Sequence, residues 1–148
     1  MIMQSTTAAP MGKITTTLVV TNRLDEGRAE LGEISAQEVR SLTLKDVLVD
    51  TGATTLCLPA NVISQLGLSL LKEVNIVTAT GLGKARIFQD AKISLRGREG
   101  TFECVELPEG SDPLLGVIPL EALGIELDLQ NQQLILLPIN TNTSYLRI

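Results

Sequence analysis

The chain has no histidine and no tryptophan, and only two cysteines, two phenylalanines and one tyrosine among its 148 residues. Each scarcity removes a class of chemistry. Without imidazole there is no Ser-His or Cys-His nucleophile pair, no histidine general base, and almost none of the zinc sites built on imidazole. Cys57 and Cys104 are too few for a disulfide framework or a four-thiolate metal site. Both stand in apolar stretches, Thr55-Leu56-Cys57-Leu58 and Phe102-Glu103-Cys104-Val105, and read as buried, unreactive thiols. Neither a metal nor an organic cofactor is called for. Carboxylates are the acid–base equipment that remains.

Aromatic residues make up 2% of the chain, which leaves no stacking platform for single-stranded nucleic acid, and a net charge of -5 opposes phosphate. A nucleic-acid partner is therefore not expected. No apolar run reaches the length of a membrane span, and residues 1–13 lack the basic start and apolar stretch of a signal peptide. The expectation is a cytoplasmic protein with reduced thiols and no membrane partner. Its length suits one domain, and with 44% hydrophobic residues the core must be built from Leu, Ile and Val.

What is present reads as strands with two short helices. Residues 14–21, Ile-Thr-Thr-Thr-Leu-Val-Val-Thr, are rich in β-branched side chains and predict a strand. Residues 22–37 are polar and charged and read as a hairpin loop or surface excursion, after which 39–49 returns as a strand. Leu56-Cys57-Leu58 is a short buried strand. Pro59 at the start, Val62, Ile63 and Leu66 within and Gly67 at the end predict a two-turn helix. Residues 74–89 read as a hairpin with its tip at Thr80-Gly81-Leu82-Gly83, and further strands are expected at 92–95 and 101–107. Leu114-Leu115-Gly116 predicts a buried strand with close backbone approach, followed by a helix from Pro119 to Leu123 that ends at Gly124. Residues 126–129 and 133–137 finish as a hairpin. The helix unit after Pro59 and the one after Pro119 echo each other, a weak internal repeat.

The most informative segment is Asp50-Thr51-Gly52-Ala53, between the apolar runs Val47-Leu48-Val49 and Leu56-Cys57-Leu58. Gly52 permits a tight turn and close backbone approach, and N–H groups after the turn can bond the Asp50 carboxylate. The tripeptide also serves as an ordinary turn between core strands, so the other segments must decide.

Together they do. The chain resembles the retropepsin-like aspartic proteases, the single-lobe family that includes the retroviral proteases and many bacterial relatives. The resemblance runs over residues 14–138. It rests on Leu48-Val49-Asp50-Thr51-Gly52-Ala53, the glycine-bearing hairpin at Gly81 and Gly83, and Leu114-Leu115-Gly116 followed by a short helix. It is nearest the bacterial-type members, which share the Leu-Pro, short helix and Leu-Gly-Leu seen at Leu58 to Leu68. Two departures stand out: 49 residues precede Asp50, and Thr54 and Thr55 stand where many retroviral members carry an acidic residue.

The resemblance implies an all-β closed barrel or sandwich, with residues 1–13 a disordered N-terminal segment and 139–148 a polar tail. It implies an endopeptidase that hydrolyses peptide bonds with no cofactor. Asp50 would be the catalytic carboxylate, and Thr51, Gly52, Ala53 and Gly116 would support it. Thr80, Gly81, Leu82 and Gly83 would form a flap over an extended peptide or protein substrate. One Asp-Thr-Gly per chain implies a homodimer. The alternative is a catalytically silent dimerising or peptide-binding domain with the same groove. A serine–lysine hydrolase is set aside, as no Gly-x-Ser-x-Gly arrangement occurs.

Overall fold

A computed structural model describes residues 13–138, so the expectations for the N-terminal segment (residues 1–12 of it) and for the C-terminal tail lie outside the described residues. In chain order the elements are β1 (Ile14–Asn22), α1 (Arg23–Glu30), a 3-10 turn (Ala36–Glu38), β2 (Ser41–Val49), β3 (Leu56–Pro59), α2 (Ala60–Leu66), β4 (Ser69–Thr78) and β5 (Gly81–Leu95). They continue as β6 (Arg98–Leu107), β7 (Leu114–Leu115), α3 (Val117–Ala122), β8 (Ile125–Asp128) and β9 (Gln133–Leu136). The main sheet runs β1-β2-β7-β3-β6-β5-β4, and β1 pairs again with β5 from Val19↔Ser94 to Asn22↔Ala91. That second pairing closes the sheet into a barrel and leaves β4 hung on its outside. The all-β expectation holds.

Alternation in the strands fills the barrel. Ile14, Leu18 and Val20 of β1, Val47 and Val49 of β2, and Ile93 and Leu95 of β5 all point inward and are buried. Leu56, Leu58, Leu66 and Leu115 complete an aliphatic centre. Gly67 follows α2 in the left-handed conformation (φ 63°), and its N–H bonds the Ser64 carbonyl at 3.0 Å. Gly124 plays the same part after α3, at φ 67°. No described helix is long and apolar enough to cross a membrane.

Three features differ from the sequence expectation. First, the excursion after β1 holds a third helix, α1, where a loop was expected. α1 buries no apolar side chain: its buried residue is Asp25, so hydrophobic periodicity could not betray it. Asn22 caps it, accepting from Asp25 N at 3.0 Å while its amide donates to Leu66 O at 2.8 Å. Arg40 then closes the excursion with Nε and Nη2 donating to Asp25 at 2.8 and 2.9 Å. Second, the hairpin turns at Ala79-Thr80, because Thr78 pairs directly with Gly81. Gly81, Leu82 and Gly83 therefore lie in β5, not at the tip, and Gly81 (φ 126°) follows the turn. Third, β5 runs unbroken to Leu95. A bulge between Phe88 and Ala91 places the polar pair Gln89-Asp90 mid-strand and disguises the continuity.

Candidate active site

Asp50 leaves the end of β2, and the reason it is held firmly lies in β7. This two-residue strand is wedged between both flanks of the turn, parallel to β2 (Val49↔Leu115) and antiparallel to β3 (Leu56↔Leu115). Asp50 N donates to Leu115 O at 3.0 Å, and Leu48 N to Pro113 O at 3.0 Å. Ala53 N returns to Asp50 O at 3.1 Å, closing the turn. Within it, Gly52 N donates to Asp50 Oδ1 at 2.8 Å, a charge-assisted bond to the carboxylate. Asp50 is half-buried, while Thr51 and Gly52 are exposed. The carboxylate is thus fixed in direction yet open to solvent.

Gly116 meets the turn from below. A Cβ placed on it would lie 2.5 Å from Thr55 O, 2.6 Å from Ala53 O and 2.7 Å from Thr55 N, all backbone atoms. Only glycine fits. The first turn of α3 then spends its free N–H groups on the same loop: Val117 N donates to Ala53 O at 2.9 Å and Ile118 N to Thr54 O at 2.8 Å. Thr55 Oγ1 donates to Glu103 O at 3.3 Å, tying the turn's exit to β6. Asp50, Gly52, Ala53 and Gly116 are therefore one unit. Thr80, Gly81, Leu82 and Gly83 belong to another part of the fold, the free end of the β4–β5 ribbon.

Val117, Ile118 and Thr55 escaped the sequence reading. Their signal was positional, since a backbone donor after Gly116 has no side-chain mark. The two thiols are as expected. Burial pushes the Cys57 thiol up, with the nearby Asp50 charge adding to it, and burial pushes Cys104 up to about 12. Among the described residues, no three His, Cys, Asp or Glu side chains are gathered as a metal would require.

Against known families, the model described as "gag-polyprotein putative aspartyl protease" matches residues 44–122, from within β2 to the end of α3. The chain belongs to this aspartyl protease family. The matched span contains the Asp50 turn, the β4–β5 ribbon and the β7–α3 support. Among solved structures, the chain is similar to the simian foamy virus (mac) protease in solution, with 22% identity over 53% of this chain and 82% of that one, at a TM-score of 0.41. No curated protein matches it.

Proposed function

We propose that this aspartyl protease family member is an active endopeptidase, working as a homodimer in which each chain contributes one Asp50. The observation that carries the reading is the Asp50 turn: a half-buried carboxylate oriented by the Gly52 N–H and buttressed by β7 and Gly116. Peptide hydrolysis by carboxylates needs two of them sharing a proton. The chain holds a single Asp-Thr-Gly. Asp112 precedes Pro113, Asp90 sits in the β5 bulge, and Asp128 is engaged with Asn131 N and Nδ2 at 3.1 and 2.7 Å. The second carboxylate must therefore come from a second chain.

In the paired site, one carboxylate takes a proton from water as its oxygen bonds to the scissile carbonyl carbon. The other gives its proton to the carbonyl oxygen. Collapse of the tetrahedral diol breaks the C–N bond: the amine leaves with the proton the dyad took from water, and one hydroxyl of the diol gives its proton to the other carboxylate as the new carboxyl group forms. Thr51, exposed at the rim of the turn, would bond to the partner chain, and the β4–β5 ribbon would serve as the flap over the peptide.

The test is a complex peptide mixture incubated with the protein, with new termini mapped by mass spectrometry and Asp50→Asn run in parallel. Asparagine keeps the shape and loses the base, so cleavage should fall by about 10²–10⁴-fold with the melting curve retained. Undiminished cleavage by the variant would remove Asp50 from the mechanism. No cleavage by the wild-type chain, together with a stable dimer, would favour a silent peptide-binding domain.

A further inference from the structure

The β4–β5 hairpin outruns the barrel that supports it. β5 pairs with β6 at Ile87↔Val105 and Phe88↔Cys104, but residues 81–86 pair only with β4, from Glu73↔Arg86 to Thr78↔Gly81. That stretch is a two-stranded ribbon, an arrangement of marginal stability in water. Its β4 strand is almost wholly exposed, and at its end Val77 and Leu82 are 85% and 84% exposed.

The antiparallel register of β5 on β6 would next place Arg86 opposite Glu106. Side chains make that link in place of the backbone. Arg86 Nε donates to Glu106 Oε1 at 3.0 Å and Nη2 to Oε2 at 3.1 Å, a two-pronged pair. The guanidinium also stands 5.1 Å from the centroid of Phe88, whose ring is buried, and faces Glu73 across the ribbon. The planar fork of arginine suits both partners at once, a carboxylate and an aromatic face. Arg86 thus sits at the last residue before the ribbon becomes free, with its charge held by the barrel.

We propose that Arg86 and Glu106 are positioning residues that latch the root of the ribbon and set its hinge at Ile87, so that the ribbon is presented to an extended peptide at one angle. The inference rests on reading this ribbon as the flap. Neither residue touches the reacting atoms; their effect passes through the ribbon.

Amide hydrogen exchange on the full chain, without substrate, tests the latch apart from proteolysis. In Glu106→Gln and Arg86→Gln, peptides covering residues 72–86 should exchange about three- to five-fold faster, the scale expected of a well-formed exposed pair. Exchange in β1 and β3 should not change. In 1 M salt the wild-type ribbon should speed up towards the variants, and the variants should respond little. With a cleaved peptide in hand, KM should rise about three-fold in Glu106→Gln while kcat stays within a factor of two. Unchanged exchange at residues 72–86, or acceleration spread over β1 and β3, overturns the latch. A wild-type chain that cleaves nothing overturns the catalytic reading and leaves the exchange result to decide the latch.

Discussion

At the scale of single residues, two glycines illustrate different constraints. Gly116 has an ordinary backbone conformation, and what it lacks is room: backbone atoms of Ala53 and Thr55 fill the space a methyl group would occupy. Backbone cannot swing aside as a side chain can. Gly116→Ala should therefore cost about 1–3 kcal/mol of stability and displace the Asp50 turn, cutting peptide cleavage by more than the stability loss explains. Thermal melts set beside cleavage rates would separate the two effects. Gly67 is limited twice, by its left-handed φ of 63° and by the Arg40 guanidinium, which occupies the place of a Cβ. Gly67→Ala should cost more than the ~1 kcal/mol of its φ alone, because Arg40 must shift from Asp25, and cleavage by the folded fraction should be retained. The close approach at Gly116 was legible from Leu114-Leu115-Gly116 alone. The atoms it approaches were not, because a glycine says that something comes near and not which strand brings it.

Among the elements, α2 was readable and α1 was not, for a physical reason. α2 carries Val62, Ile63 and Leu66 on one buried face between Pro59 and Gly67. α1 is held by polar contacts: Asn22 at its cap and the Asp25–Arg40 pair, with Asp25 buried and Arg40 half-exposed. No apolar pattern records such an anchorage. The hairpin tip was misplaced in a related way, since Gly81 to Gly83 were read as part of the turn whereas Ala79-Thr80 make it. The Asp25 carboxyl is held below its ordinary value near 3.8 by side-chain hydrogen bonds from Arg40, against the opposing pull of burial. A depressed folded value stabilises the protein above the unfolded one, and that stability is lost as pH falls through the folded value. Urea midpoints should accordingly hold down to about pH 4 and drop below it, while Asp25→Asn is weaker at pH 7 and falls less steeply in acid. Arg40→Ala should cost about 2–3 kcal/mol at neutral pH, less than a fully buried pair because Arg40 is half in solvent. A variant as stable as the wild type at pH 7 would show that the α1 anchorage lies elsewhere.

At the scale of the whole molecule, the barrel and the order of its parts were legible because the Asp50, Gly81–Gly83 and Leu114–Gly116 segments occur in sequence order. The closure of β1 on β5 was not, since no local pattern announces a partner so far along the chain. On the proposed reading, half a dyad per chain makes cleavage a property of the pair, so specific activity should fall on dilution and track the dimer fraction in sedimentation. A specific activity constant down to a demonstrated monomer would remove the dimer mechanism. The β8–β9 hairpin is a natural place to intervene: it forms its own two-stranded sheet, with Leu134 buried and Ile135 41% exposed. Ile135→Lys should leave the chain folded and shift it towards monomer, with the concentration dependence of the melting temperature reduced and activity recovered at high concentration. Full activity on dilution would move the interface away from β9. The wedge of β7 also carries a consequence for the newborn protein. Asp50-Thr51-Gly52 leaves the ribosome long before Leu114, Leu115 and Gly116 do, and until they arrive the strand that bridges the two flanks of that loop is missing. A chain still being made, or one broken off short of Gly116, carries the Asp-Thr-Gly letters without the shape that β7 gives them. If the proposed reading holds, such a chain should not hydrolyse peptides until residues 114–116 have been made.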